Sequence, residues 1–236
     1  MKKVILGATG SIGSSLARKL VESGEQVHLV GRDETNLSEL ANELNSSFTT
    51  CDVLEENFSE KVVNDLKEEQ VNGLAYCVGS IDLKPLKLTK KSDFMQSFNL
   101  NLVSATEIIK SLADNLKASK GSVVLFSTVA VQQGFPNHAI VSSAKGAVEG
   151  LTLALAAEYA PNIRVNCIAP SLTNSKISNF LLKNEKMAES IAKMHPLKRV
   201  GEGNDSSSVA KFLLSDESSW ITGQILGVDG GRSTVA

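Results

Sequence analysis

Near the N-terminus, Gly7-Ala8-Thr9-Gly10-Ser11-Ile12-Gly13 has the residue types and spacing to hold a phosphate group against main chain. Gly7 permits a tight turn, Gly10 lets the backbone approach an anion closely, and Gly13 lets the following helix pack on the preceding strand. The apolar run Val4-Ile5-Leu6 ahead of the turn and the helical pattern behind it supply the required setting. In that setting a helix N-terminus is aimed at a pyrophosphate. Gly7, Thr9, Gly10, Ser11, Ile12 and Gly13 are therefore the first candidate cofactor contacts. A glycine-rich connection without a ligand is the plain alternative.

The end of the second apolar run, Val30-Gly31-Arg32-Asp33, decides which dinucleotide such a turn would serve. An acid at this place binds a free ribose 2′-hydroxyl, whereas a base binds a 2′-phosphate. Gly31 carries no carboxylate and Arg32 offers a charged fork, so the reading is NADP(H), with NAD(H) as second choice. Arg32 could instead pair with Asp33 or Glu34 on the surface. Asp52 and Val53, after the third run, are placed to meet an adenine edge, although an Asp there also suits a helix cap.

Other chemistries find no support. Cys51, Cys77 and Cys167 lie far apart without a CxxC or Cys/His pairing. Neither a disulfide framework nor a metal site is expected, and a reducing compartment is the natural setting. The chain has no GxSxG elbow, no HExxH and no paired-carboxylate signature, which leaves hydrolysis without a basis. Lys plus Arg total 24 against 26 Asp plus Glu, so the net charge of −2 gathers neither nucleic acid nor an anionic membrane. No run approaches the ~18 apolar residues that span a bilayer, and the apolar stretch in MKKVILGATG is too short for a secretion signal. The expectation is a soluble, cytoplasmic protein with no membrane or nucleic-acid partner.

The elements that must position these residues follow from periodicity. With 236 residues, 42% hydrophobic and 21% charged, the chain suits one globular domain over 1–236. Val4–Leu6, Val27–Val30, Phe48–Cys51, Leu74–Val78, Ser122–Phe126 and Ile163–Ile168 read as strands. Between them, helices are expected near Ser14–Ser23, Glu34–Leu44, Phe58–Glu68, Asp93–Leu116 and Ser142–Tyr159. Strands alternating with helices imply an α/β fold, a Rossmann-type doubly wound parallel sheet in three α/β/α layers. Lys176–Gly203 is polar with scattered Phe180, Leu181, Leu182, Met187 and Met194. A mobile substrate loop at about 171–203 reads this way, and so does an ordinary surface helical pair.

Several further segments carry a family likeness: the glycine turn, Gly79 after Tyr76-Cys77-Val78, Phe98-Asn99-Leu100-Asn101-Leu102 and Phe126-Ser127-Thr128-Val129. Arg164-Val165-Asn166, Ala169-Pro170-Ser171 and Ile221-Thr222-Gly223-Gln224 followed by Val228-Asp229-Gly230-Gly231 extend it to nearly the whole chain. In these the chain resembles the short-chain dehydrogenase/reductase family. The resemblance implies a hydride-transferring oxidoreductase in which Asn101, Thr128 and Lys145 are catalytic. It also adds Gly79, Lys145, Pro170 and Thr173 to the cofactor contacts. Each has a plainer reading: Thr128 as a strand-end residue, Asn101 as a backbone-bonding helical Asn, and Lys145 as a solvated side chain. Ser142 and Ser143 read as the N-terminal cap of their helix.

The likeness breaks at the proton donor. The family's Tyr-x-x-x-Lys is Val141-Ser142-Ser143-Ala144-Lys145 here, and valine has no proton to give. His138, seven residues before Lys145, could share a helix face with it ~10.5 Å away and act as a general acid. It could equally be a packing residue after Gly134-Phe135-Pro136-Asn137. Two readings follow. One is an NADP(H)-dependent oxidoreductase of a small carbonyl, alcohol or enone with a non-standard proton donor. The other is a cofactor-binding sensor, scaffold or partner subunit that has lost catalysis. Small residues along the Lys145 helix and the resemblance together imply a homodimer or homotetramer.

Overall fold

Val4, Ile5 and Leu6 are fully buried in β1 (Lys2–Leu6), as a strand covered on both faces requires. The computed structural model, which describes residues 1–235, continues through α1 (Ser11–Glu22), β2 (Gln26–Gly31), α2 (Glu34–Leu44) and β3 (Ser47–Thr50). Then come α3 (Phe58–Leu66), β4 (Val71–Tyr76), α4 (Lys91–Phe98), a π-turn (Asn99–Val103), α5 (Ser104–Ala118) and β5 (Ser122–Phe126). The second half adds α6 (Ala139–Tyr159), β6 (Arg164–Pro170), α7 (Asn179–Leu182), α8 (Glu185–Lys193), α9 (Gly203–Leu213) and β7 (Ile225–Val228).

All seven strands pair in parallel in the order β3-β2-β1-β4-β5-β6-β7. One face of the sheet buries Leu16, Leu20, Leu37 and Leu213 from α1, α2 and α9. The other buries Phe58, Ile108, Leu112 and Val148 from α3, α5 and α6. This is the expected doubly wound α/β/α fold. Each fully buried Leu, Ile or Phe contributes about 1.5–3 kcal/mol. The order reverses between β1 and β4, and ligands of such sheets bind outside the carboxyl ends of the strands at that point.

The element boundaries correct the sequence reading in informative places. The single helix expected over Asp93–Leu116 is interrupted by the π-turn. There Ser104 Oγ donates to the Asn99 and Val53 carbonyls, and Tyr76 Oη donates to the Leu100 carbonyl at 2.7 Å. Its start moves back because the Asp93 carboxylate accepts the Lys90 N–H as a cap. Helix α6 begins at Ala139, three residues earlier than expected, so Ser142 and Ser143 are not its caps. Ser142 Oγ donates to the Ala130 carbonyl and Ser143 Oγ to the Ala139 carbonyl one turn back. Strand β4 also starts earlier, at Val71, because that residue pairs with Lys2.

By length and mean composition α6 could cross a bilayer, but it packs against β5 and β6. Of the small residues along it, Ala144 is fully buried there, whereas Gly150 and Ala154 face outward.

Candidate active site

The glycine turn is shaped by main-chain contacts. Gly7, at φ +73°, donates its N–H to the Val30 carbonyl at 2.9 Å. A Cβ there would come within 2.9 Å of the Cys77 carbonyl group, and one at Gly13 would overlap the Gly7 carbonyl oxygen. Gly10 is exposed and caps α1 with no side chain closing its first turn, so N–H groups of that turn point outward for an anion. Ile12 packs into the core and Thr9 is half-buried, which limits Ile12 to backbone contacts with a ligand. Ser11 Oγ donates to the Asn174 carbonyl at 2.9 Å and so ties the turn to the segment after β6.

At the end of β2, Asp33 caps α2 by accepting the Asn36 N–H at 3.1 Å, and those bonds hold its carboxyl below its usual value. Arg32 is exposed and forms no ion pair among the described residues, so the surface pairing with Asp33 or Glu34 does not occur. Asp52 closes a turn on the Leu54 N–H at 3.0 Å instead of capping a helix. Val53 is buried, with its carbonyl accepting from Ser104.

Asn101, Lys145 and Gly79 meet. Lys145 is 7% exposed, and its Nζ donates to the Phe126 carbonyl at 2.8 Å. Burial pushes its ammonium down to about 8. Asn101 Nδ2 donates to the Ser97 carbonyl at 2.8 Å, while its buried Oδ1 has no partner. A Cβ placed on Gly79 would lie 3.3 Å from both that Oδ1 and Lys145 Nζ. The π-turn thus brings an unpaired acceptor and the lysine to the space left by the missing side chain of Gly79. An orphaned acceptor near a buried ammonium that has a carbonyl but, among the described residues, no carboxylate as partner is what a bound polyhydroxylated ligand or water would satisfy.

Thr128 stands at the end of β5, half-buried, with Oγ1 accepting the Ala130 N–H at 3.3 Å. Val141 is buried at 6% exposure. His138 is the residue before α6, so the seven-residue spacing to Lys145 is helical for all but its first step. Its ring lies 5.3 Å from that of Phe135, and Nδ1 is 2.8 Å from the Pro136 carbonyl. His138, Phe135, Ser142, Ala130, Leu86 and Lys84 line a cavity of about 290 Å³. Lys84 is already held by Asp82 and Asp93 at 3.2 and 3.1 Å.

Pro170 ends β6, and Thr173 Oγ1 donates to the Ser171 carbonyl at 3.0 Å. Sequence reasoning missed two contacts in this neighbourhood. Ser171 Oγ lies 2.8 Å from His195 Nε2, and the Arg232 guanidinium lies 5.3 Å from the centroid of Phe135. Neither carries a local motif, since each pair is brought together only by the return of the chain. Among the described residues no three His, Cys, Asp or Glu side chains gather as a metal site.

Residues 7–233 match a family model described as enoyl-(acyl carrier protein) reductase. A chloroplastic tropinone reductase homologue of Arabidopsis thaliana is 33% identical over 243 residues, 99% of this chain and 76% of its own. A second tropinone reductase homologue of the same plant is 35% identical over 241 residues, 98% of this chain and 92% of its own. Among solved structures, a short-chain type dehydrogenase/reductase from Mycobacterium ulcerans superposes with a TM-score of 0.92 at 26% identity. It covers 98% of this chain and 89% of its own. ElxO, solved with NADP bound, superposes with a TM-score of 0.89 at 26% identity, covering 98% of both chains.

Proposed function

The chain belongs to the short-chain dehydrogenase/reductase family of oxidoreductases, and from that premise we propose that it transfers hydride between NADP(H) and a small carbonyl, alcohol or enone compound. The observation that carries this reading is Arg32. It stands exposed at the end of β2, without an acidic partner among the described residues, beside a turn whose shape would admit a pyrophosphate. A guanidinium so placed suits a 2′-phosphate. The bound NADP of ElxO supports the same choice.

When bound, the cofactor gives or takes the hydride; everything else falls to the protein. Gly7–Gly13 and the first turn of α1 would hold the pyrophosphate, with Asp52 and Val53 at the adenine. Lys145 and Asn101, over Gly79, would hold the ribose near the reacting end, with Pro170 and Thr173 closing that end. Thr128 would hydrogen-bond the substrate oxygen. The cavity lined by Ala130, His138 and Ser142, about 290 Å³, is at the small end of the range for ligand sites and suits a small substrate.

The proton passes through His138. A carbonyl can only accept, so Nδ1 keeps its hydrogen on the Pro136 carbonyl and Nε2 is the free nitrogen: in the charged ring it would give a proton to the carbonyl oxygen during reduction, and in the neutral ring it would take one from the alcohol during oxidation. The outward face of α6, with Gly150 and Ala154 exposed, would let a second copy pack closely as a homodimer or homotetramer. Light scattering should then return a mass above 25.1 kDa.

Titrating NADPH and NADH against wild type and Arg32→Ala tests the cofactor reading. Wild type should prefer NADPH, and the substitution should cost about 1.5–3 kcal/mol for NADPH alone. Equal wild-type affinities would overturn it. A panel of carbonyl compounds followed by NADPH absorbance, with Lys145→Ala as control, tests the reaction.

A further inference from the structure

Ser171 and His195 form a hydrogen-bonded pair to which hydride transfer assigns no task. Ser171 directly follows β6 and is half-buried at the carboxyl end of the sheet. His195 lies two residues beyond α8 and is 2% exposed. Its Nδ1 is 2.9 Å from the Ile191 carbonyl and its Nε2 is 2.8 Å from Ser171 Oγ. The carbonyl can only accept, so in the neutral ring Nδ1 carries the hydrogen and Nε2 must accept. Asp229, the neighbouring carboxylate, is engaged by the N–H groups of Gly231 and Ser233 at 2.9 and 2.8 Å. The proton of the Ser171 hydroxyl is therefore committed to His195. Its lone pairs remain, so toward any further partner Ser171 can serve only as an acceptor.

The sheet order says which ligand group can meet it. With Arg32 at the end of β2 and the glycine turn at the end of β1, a dinucleotide held by both would extend across β4 toward β5 and β6. Strands spaced about 4.8 Å apart would bring its far ring to the last two of these. Ser127 N–H donates to the Ile168 carbonyl, so the ends of β5 and β6 are side by side, and Ser171, three residues beyond Ile168, would be near a ring held there. The substrate cavity opens among Phe135, His138 and Ser142, and Ser171 is not part of its wall.

We propose that Ser171, held as an acceptor by His195, takes a hydrogen bond from the carboxamide N–H of the nicotinamide and so orients that ring for hydride transfer. This rests on the NADP(H) reading above. Because His195 ends the α8 segment, the same bond couples that segment to the reacting end of the cofactor.

Calorimetric titration of the intact protein with three probes tests the assignment. NADP⁺ has the carboxamide, 3-acetylpyridine adenine dinucleotide phosphate replaces its amide nitrogen by methyl, and 2′,5′-ADP lacks the nicotinamide altogether. Wild type should bind NADP⁺ roughly 3–10-fold more tightly than the acetylpyridine analogue. Ser171→Ala should bind the two equally, Ser171→Thr should restore the difference, and 2′,5′-ADP should bind all three proteins alike. Should Ser171→Ala keep the wild-type ratio, or weaken 2′,5′-ADP as much as NADP⁺, the assignment is overturned. If 2′,5′-ADP fails to bind wild type, the NADP(H) reading itself falls and takes this contact with it.

Discussion

The glycine turn and the cavity wall at 134–138 lie at the ends of strands in one sheet, yet they are built from different materials. At Gly7 and Gly13 the constraint is main chain against main chain, and an added methyl meets a carbonyl with nowhere to go. Around Gly134 nothing lies within 4 Å of an added Cβ, and the wall is made of the side chains of Phe135, His138 and Ser142. The turn that would hold an invariant chemical group, a pyrophosphate, therefore tolerates little change. A wall that would meet a variable substrate can exchange its groups without disturbing the backbone.

The sharpest way to break this comparison is at the wall. A positioned general acid typically contributes 10²–10⁴-fold, so His138→Ala should lower turnover within that range while leaving NADPH affinity unchanged. Val141→Tyr, one helical turn before Lys145, should raise activity if a proton donor is all that limits the reaction. A silent His138→Ala in an active enzyme would assign the proton to water or substrate.

The second test compares the two glycines. Gly13→Ala must displace the Gly7 carbonyl, and a loss of about 3 kcal/mol is expected in denaturant unfolding together with lost cofactor binding. Gly134→Ala, with open space around it, should stay within about 0.5 kcal/mol of wild type. Equal effects would remove the distinction between the two regions.

The third concerns Lys145, which sits between them. Its ammonium is pushed down to about 8 in the fold, against 10.5 unfolded. Between those values the unfolded chain binds more protons, so this group makes stability rise as pH increases through that window; below it the contribution is constant at its minimum. Comparing unfolding curves of wild type and Lys145→Met across pH 8 to 10.5 should reveal a difference that changes by about 2–3 kcal/mol. Parallel curves would mean that the lysine is not desolvated in solution.

How much of this was legible varied with the range of the interaction. Glu34–Leu44 and Ser122–Phe126 match their observed spans because period, caps and apolar runs are local signals. The π-turn was invisible, since it depends on Tyr76 and Val53 from distant segments bonding to that stretch of helix. The candidate residues Asn101, Lys145 and Gly79 could be named from sequence, but their convergence could not. The unpaired state of Arg32 was likewise open until Asp33 was seen to be occupied by Asn36.

The sequence by itself determined the alternation of strand and helix, the phosphate-ready turn and the absence of a phenol at 141. These depend on neighbours within a few residues, where spacing and residue type suffice. Only the tertiary structure decided that Lys145 is buried beside an orphaned Asn101 oxygen, that His138 faces a small cavity and that Ser171 is locked to His195. Burial and hydrogen-bond partnership are properties of groups far apart in the chain. They arise only when the sheet brings the carboxyl ends of β1, β4, β5 and β6 together.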